Sequence, residues 1–265
     1  MSDPEDTILS NIVVVVAHPD DENLWFSSVL RQASKIIVVY EDFWAEPDIG
    51  AKRAAALAEL PHPNIKSLKV PEAGTYGCAN WAKPEISKYG IMFSSEVIKR
   101  EIKRKAVRAI PGLSAHASPK SVSQIYTENY PTIVNLLRNE LTSDMNVFTH
   151  NPWGEYGHED HLQIFRAVDQ LQSEIGFKQW MGNYVTNRSL PLAKTYFGAD
   201  LQNPICFKTD VPYAKEFTDV YKKHDCWTWR DDWKWFEQEC FTIPPKKQVI
   251  DQQQSHIGPM NVFSI

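Results

Sequence analysis

Ile12-Val13-Val14-Val15-Val16-Ala17-His18-Pro19-Asp20-Asp21-Glu22 holds the reading on which the fold depends. Five β-branched residues in succession have no polar face, so the run predicts a strand covered on both sides, as in a parallel sheet. The strand then breaks into a cluster of charged groups, and Leu24–Ala33 suits a helix. Lys35–Tyr40 (KIIVVY) repeats the apolar run, Gly50–Leu60 is an Ala-rich helix stopped by Pro61, and Ile65–Val70 is a weaker third strand. Further on, the pattern predicts a helix over Tyr130–Leu141, a strand at Met145–Thr149, an amphipathic helix over Asp160–Glu174 and a strand at Trp180–Val185. Strands alternating with helices imply right-handed βαβ units: one α/β domain over 1–265, Rossmann-like, with a mostly parallel sheet flanked by helices. Ligands of such sheets sit beyond the carboxyl ends of the strands. Residues 71–129 read as an insertion near that site, and 244–265 as a surface tail.

The chain has 265 residues, 43% hydrophobic and 12% aromatic, which is enough for one sizeable core. A formal net charge of -5 argues against general nucleic-acid binding. No apolar run approaches the length of a membrane span. The four cysteines form no CxxC pair and the acidic, polar N-terminus carries no signal segment, so the expectation is a reduced, cytoplasmic protein.

Two clusters carry chemistry, and both follow strands. In the first, His18, Asp20, Asp21 and Glu22 crowd around Pro19, whose fixed φ stiffens the turn so that His18 and Asp21 can converge. The second is Thr149-His150-Asn151-Pro152-Trp153-Gly154-Glu155-Tyr156-Gly157-His158-Glu159-Asp160-His161. His158 and His161 stand three apart at a helix start and share a face, a spacing familiar among metal ligands. A catalytic zinc site needs three protein ligands and an open position. Spacing offers four, His18, Asp21, His158 and His161, and does not choose among them.

AHPDDE after an apolar strand and GHEDH after a later one resemble the zinc-dependent N-deacetylases of the LmbE or PIG-L type. The resemblance implies a hydrolase removing an N-acetyl group from an amino sugar such as N-acetylglucosamine, free or linked to a nucleotide, lipid or glycan. It implies a metal, Zn²⁺ or Fe²⁺, held by His18, Asp21 and His161. Asp20 would then be the general base that takes a proton from the metal-bound water. His158 would stabilise the oxyanion and protonate the leaving amine, with Asp160 orienting His158 and favouring its charged form. Arg53 sits where relatives carry an arginine that touches substrate, and it equally fits a solvated helix charge. His150, Trp153 and Glu155 are further candidate substrate contacts. The basic stretch 99–108 fits phosphate recognition or a solvated face, and Trp227–Trp235 fits a core-facing helix or a surface on which sugars stack. The contrasting expectation is a sugar- or nucleotide-binding protein without turnover on the same scaffold.

Overall fold

The computed structural model describes residues 10–43, 46–94, 97–98, 101–102, 120–197, 204–245 and 259–265. Its centre is a seven-stranded sheet of β1 (Ile12–Val16), β2 (Ala33–Tyr40), β3 (Ile65–Val70), β4 (Asn146–Thr149), β5 (Lys178–Gly182), β6 (Ile205–Lys208) and β7 (Gln238–Thr242). The spatial order is β3-β2-β1-β4-β5-β7-β6. The first five strands run parallel, whereas β7 is antiparallel to both of its neighbours. Strand order reverses between β1 and β4, the crevice where open α/β sheets bind ligands. Both charged clusters emerge there.

The helices are α1 (Asp21–Trp25), α2 (Pro47–Glu59), α3 (Val122–Arg138), α4 (Glu159–Ile175), α5 (Leu190–Phe197) and α6 (Val211–Lys223). A short ladder joins Tyr184–Val185 to Asn261–Val262 in parallel. Strand β1 is buried on both faces, as its composition requires. Ile12, Val14 and Val16 pack with Trp25, Phe217 and Tyr221, while Val13 and Val15 meet Ile133, Leu137, Ile164 and Val168 from α3 and α4. Phe241 lies fully buried on β7, 4.9 Å from the Phe148 ring and 6.0 Å from Phe26. Phe241→Ala is expected to cost about 3–5 kcal/mol in denaturant unfolding, the usual range for a core phenylalanine.

Four expectations are corrected. Leu24–Ala33 is not one helix: α1 stops at Trp25, a single 3-10 turn spans Leu30–Gln32, and Ala33 already belongs to β2. The Ser28 N–H donates to the buried Glu239 carboxylate (2.7 Å), a tertiary partner that draws this backbone out of a helical ladder. Trp227–Trp235 is an irregular run, not a helix. The tail does not stay on the surface, since Asn261–Val262 pairs with Tyr184–Val185 and Phe263 packs 5.4 Å from the Trp25 ring. Finally, Cys206 and Cys240, directly paired across β6 and β7, form a disulfide, which their separation of 34 residues does not signal. These two thiols are therefore paired in the structure, where a reduced chain was expected. Among the described residues no helix is long and apolar enough to cross a membrane. Most of the basic stretch 99–108 lies outside the described residues.

Candidate metal centre and its cavity

At the end of β1 the chain makes a turn that its own side chains fix. The His18 N–H donates to Asp21 Oδ2 (2.8 Å), and the Asp20 N–H donates to Glu22 Oε2 (3.1 Å). Tyr221 secures the other Glu22 oxygen at 2.5 Å. Asp20 itself adopts φ 99, a positive value that costs energy for a residue other than glycine. At the end of β4 the second cluster forms a loop with Gly154 at φ 62, where an added Cβ would sit 2.5 Å from the His158 carbonyl oxygen. That close approach requires glycine. A hydrogen bond from the backbone helps tie the two clusters together: the Ala17 N–H donates to His150 Nε2 (2.8 Å).

The side chains converge around Asp21. His18 Nδ1 lies 3.4 Å from Asp21 Oδ2, and His161 Nε2 lies 3.2 Å from Asp21 Oδ1. Trp25 Nε1 donates to Asp21 Oδ1 (2.8 Å). Ligand atoms of His18, His158 and His161 come within 4.8 Å of one another, and so do those of Asp21, His150 and His161, and of His18, Glu72 and Asp160. Hydrogen bonding separates these candidates. His150 Nε2 is occupied by the Ala17 N–H, and its Nδ1 faces Glu155 Oε2 (3.0 Å). His158 Nδ1 accepts from the Asp160 N–H (3.1 Å), so the neutral ring carries its proton on Nε2. His161 has its Nδ1 held by Glu155 Oε2 (2.6 Å), while its buried Nε2 has no hydrogen-bond partner. His18 has its Nε2 held by Asp160 Oδ2 (3.3 Å), which turns Nδ1 toward Asp21. His18 Nδ1 and His161 Nε2 thus each face the Asp21 carboxylate, on its two different oxygens. Two imidazoles and a carboxylate suit Zn²⁺ or Fe²⁺, and the orphaned His161 Nε2 fits such an ion.

Electrostatics are consistent with a place built for positive charge. Burial opposes a charge on His18, but the Asp160 and Asp21 carboxylates outweigh it and raise its pKa to about 10. Burial is likewise outweighed at His161, by Asp21 and Glu155, bringing it to about 9. Asp21 is held well below the ordinary carboxylate range because His161 and His18 overcome the cost of its burial. Asp20 moves the other way, to about 6, through burial and the like charge of Asp21, with Arg53 and Thr228 opposing. His158 is pushed well below the ordinary imidazole range by burial and by the neighbouring His161 and His18.

These observations alter two assignments. Asp160 does not grip the His158 ring with its carboxylate; its Oδ2 meets His18 and its Oδ1 accepts from Thr75 (2.8 Å). His158 is accordingly a neutral Nε2–H donor rather than a cation. His150, Trp153 and Glu155 are all fully buried and do not line the cavity, so they differ from the expected substrate contacts. Trp153 packs with Tyr196 and donates to the Tyr184 carbonyl (2.6 Å), a core position.

The cavity above Asp21 encloses about 330 Å³ and is lined by His18, Asp20, Asp21, Arg53 and His158. Arg53 is only 2% exposed, which overturns the solvated-charge reading. It donates to Thr228 Oγ1 (3.1 Å), which donates to Asp20 Oδ2 (2.8 Å). Sequence reasoning missed Glu72, Tyr76, Tyr156 and Thr228 on the remaining walls. Tyr156 could have been found from its place two residues before His158, whereas Glu72 and Thr228 reach the site only through tertiary folding. Trp229 also lines the wall, so one member of the Trp-rich run does face the cavity.

No protein family profile matches the chain. No curated protein matches it either. Among solved structures, a deacetylase–teicoplanin complex from teicoplanin biosynthesis aligns at 12% identity and a TM-score of 0.48, covering 91% of this chain and 100% of the other. A zinc-inhibited form of a teicoplanin deacetylase aligns at 13% identity and 0.46, over 82% of this chain and 84% of the other. An A40926 pseudoaglycone deacetylase aligns at 13% and 0.46, over 91% and 99%. At these values the likeness carries no argument about activity.

Proposed function

We propose that the chain is a metal-dependent N-deacetylase acting on an acetamido sugar. The observation that carries this reading is that His18 Nδ1 and the orphaned His161 Nε2 both face the Asp21 carboxylate, beside a cavity wall bearing a carboxyl poised near neutrality and an imidazole N–H donor. Bound by His18, Asp21 and His161, a divalent ion would supply Lewis acidity, polarising the amide carbonyl and making an attacking water acidic at neutral pH. Asp20 takes the proton that the water gives up, a task suited to a carboxyl at about 6. Thr228 and the buried Arg53 hold that carboxylate in orientation. As the carbonyl carbon becomes tetrahedral, His158 donates its Nε2–H to the oxygen that gains charge. The proton collected on Asp20 then passes to the leaving nitrogen, so acetate and a free amine result. A cavity of about 330 Å³ lies at the small end of the roughly 300–1,000 Å³ of ligand pockets, and matches one sugar ring more than a polymer.

Acetate release from a panel of N-acetylhexosamines, free and carrier-linked, tests the reading. Acetate formed only by metal-loaded protein supports it. A metal-loaded protein that binds these sugars without releasing acetate points instead to the non-catalytic binding protein. His158→Ala adds a separation of roles: kcat is expected to fall about 10²–10³-fold, as for loss of one oxyanion donor, with metal content unchanged. Loss of the metal in that variant would place His158 among the ligands.

A further inference from the structure

Behind the candidate metal centre lies a buried carboxylate that neither touches the cavity nor ligates. Glu155 is fully buried and sits at φ 48, in the left-handed region that disfavours residues other than glycine. Its backbone is pinned there, its N–H donating to Asn151 Oδ1 (3.0 Å) and its carbonyl accepting from Ser189 Oγ (2.6 Å). The carboxylate is fully used: Oε1 accepts from the Asn151 N–H (3.0 Å), while Oε2 faces His150 Nδ1 (3.0 Å) and His161 Nδ1 (2.6 Å). Since the Ala17 N–H occupies His150 Nε2, the His150 proton must lie on Nδ1 and point at Glu155. The two rings stack at 3.9 Å between centroids, so His150 also fixes the plane of His161. Strained backbone that persists around a buried group is a mark of a functional constraint.

We infer that Glu155 is the positioning residue for the metal centre, holding His161 in the Nδ1–H form so that the Nε2 lone pair faces the ion. This rests on the metal reading above. A histidine ligand whose other nitrogen is gripped by a carboxylate is oriented and made more basic, and such partners commonly carry 10–100-fold in metal affinity. His150 acts as the brace that keeps the carboxylate in register, tied through Ala17 to the strand that delivers His18.

Glutamine cannot replace this group, because all three of its neighbours donate. An amide NH₂ turned toward Asn151 would oppose an N–H. Turned toward the histidines, it would drive the His161 proton onto Nε2 and close the lone pair. Zinc titration of metal-stripped wild type, Glu155→Gln and Glu155→Gly reads the effect. Both variants are expected to bind about 10–100-fold more weakly. Glycine tolerates φ 48, so Glu155→Gly reports on the missing carboxylate without backbone strain. Nitrogen-15 NMR of the zinc-loaded wild type is expected to show the His161 proton on Nδ1. Variants that bind zinc within twofold of wild type, or a His161 proton on Nε2, would overturn the inference. A wild type that takes up no zinc would overturn the metal reading itself, and the inference with it.

Discussion

Asp20→Asn is expected to lower kcat by about 10²–10⁴-fold, the usual worth of a positioned general base, while leaving metal content unchanged. Asparagine keeps the shape and an oxygen that can accept the Thr228 hydroxyl, which donates to Asp20 Oδ2 at 2.8 Å. It also tolerates positive φ better than most residues, which matters at φ 99. What it loses is the capacity to accept a proton. The Asp20 carboxyl on the cavity wall stands near neutrality, at about 6, while its neighbour Asp21 is held far below by its imidazoles. Two adjacent carboxylates with opposite displacements fit the proposed division between base and ligand. Steady-state kinetics paired with metal analysis decides the matter. Near-wild-type turnover in Asp20→Asn would remove Asp20 from the chemistry.

Replacing a ligand should do something different. His161→Ala and His18→Ala are each expected to abolish metal uptake and reduce activity to background. His161→Ala also strips a partner from two buried carboxylates, Asp21 and Glu155, so its fold is expected to weaken by about 3–5 kcal/mol, as when one member of a buried pair is removed. Thermal unfolding with and without added zinc separates the two losses. An ion bound at 1,000 times its Kd stabilises the native state by about 4.1 kcal/mol, and wild type should melt higher accordingly. His161→Ala should show no zinc-dependent shift, and a shift equal to that of wild type would deny it a place among the ligands.

How far the site was legible follows from where its information lies. The strand Ile12–Val16, the histidine and aspartates at its end, and the helix starting near His158 are local patterns, and the structure has them where the periodicity indicated. The start of α3 was missed, since the helix begins at Val122 behind a Ser121–Gln124 capping box, well ahead of the expected start at Tyr130. Other features depend on partners remote in sequence. Glu239 reaches Ser28 across 211 residues and ends the helix expected over Leu24–Ala33. Thr228 reaches Asp20 across 208, bringing a buried arginine to bear on the base. Glu155, read from its position in the loop as a substrate contact, faces the opposite way because His150 and His161 claim its carboxylate. No spacing rule encodes which side of a loop a carboxylate will face.

In the proposed centre one ion is held by two imidazoles and one carboxylate, with His158 and His150 outside its reach. Anomalous diffraction from crystals loaded with a single equivalent of zinc tests this directly. One strong peak per chain is expected, bonded to His18 Nδ1, an Asp21 oxygen and His161 Nε2. A peak bonded to His158 or His150, or one on the Glu72 and Asp160 side of His18, would contradict it.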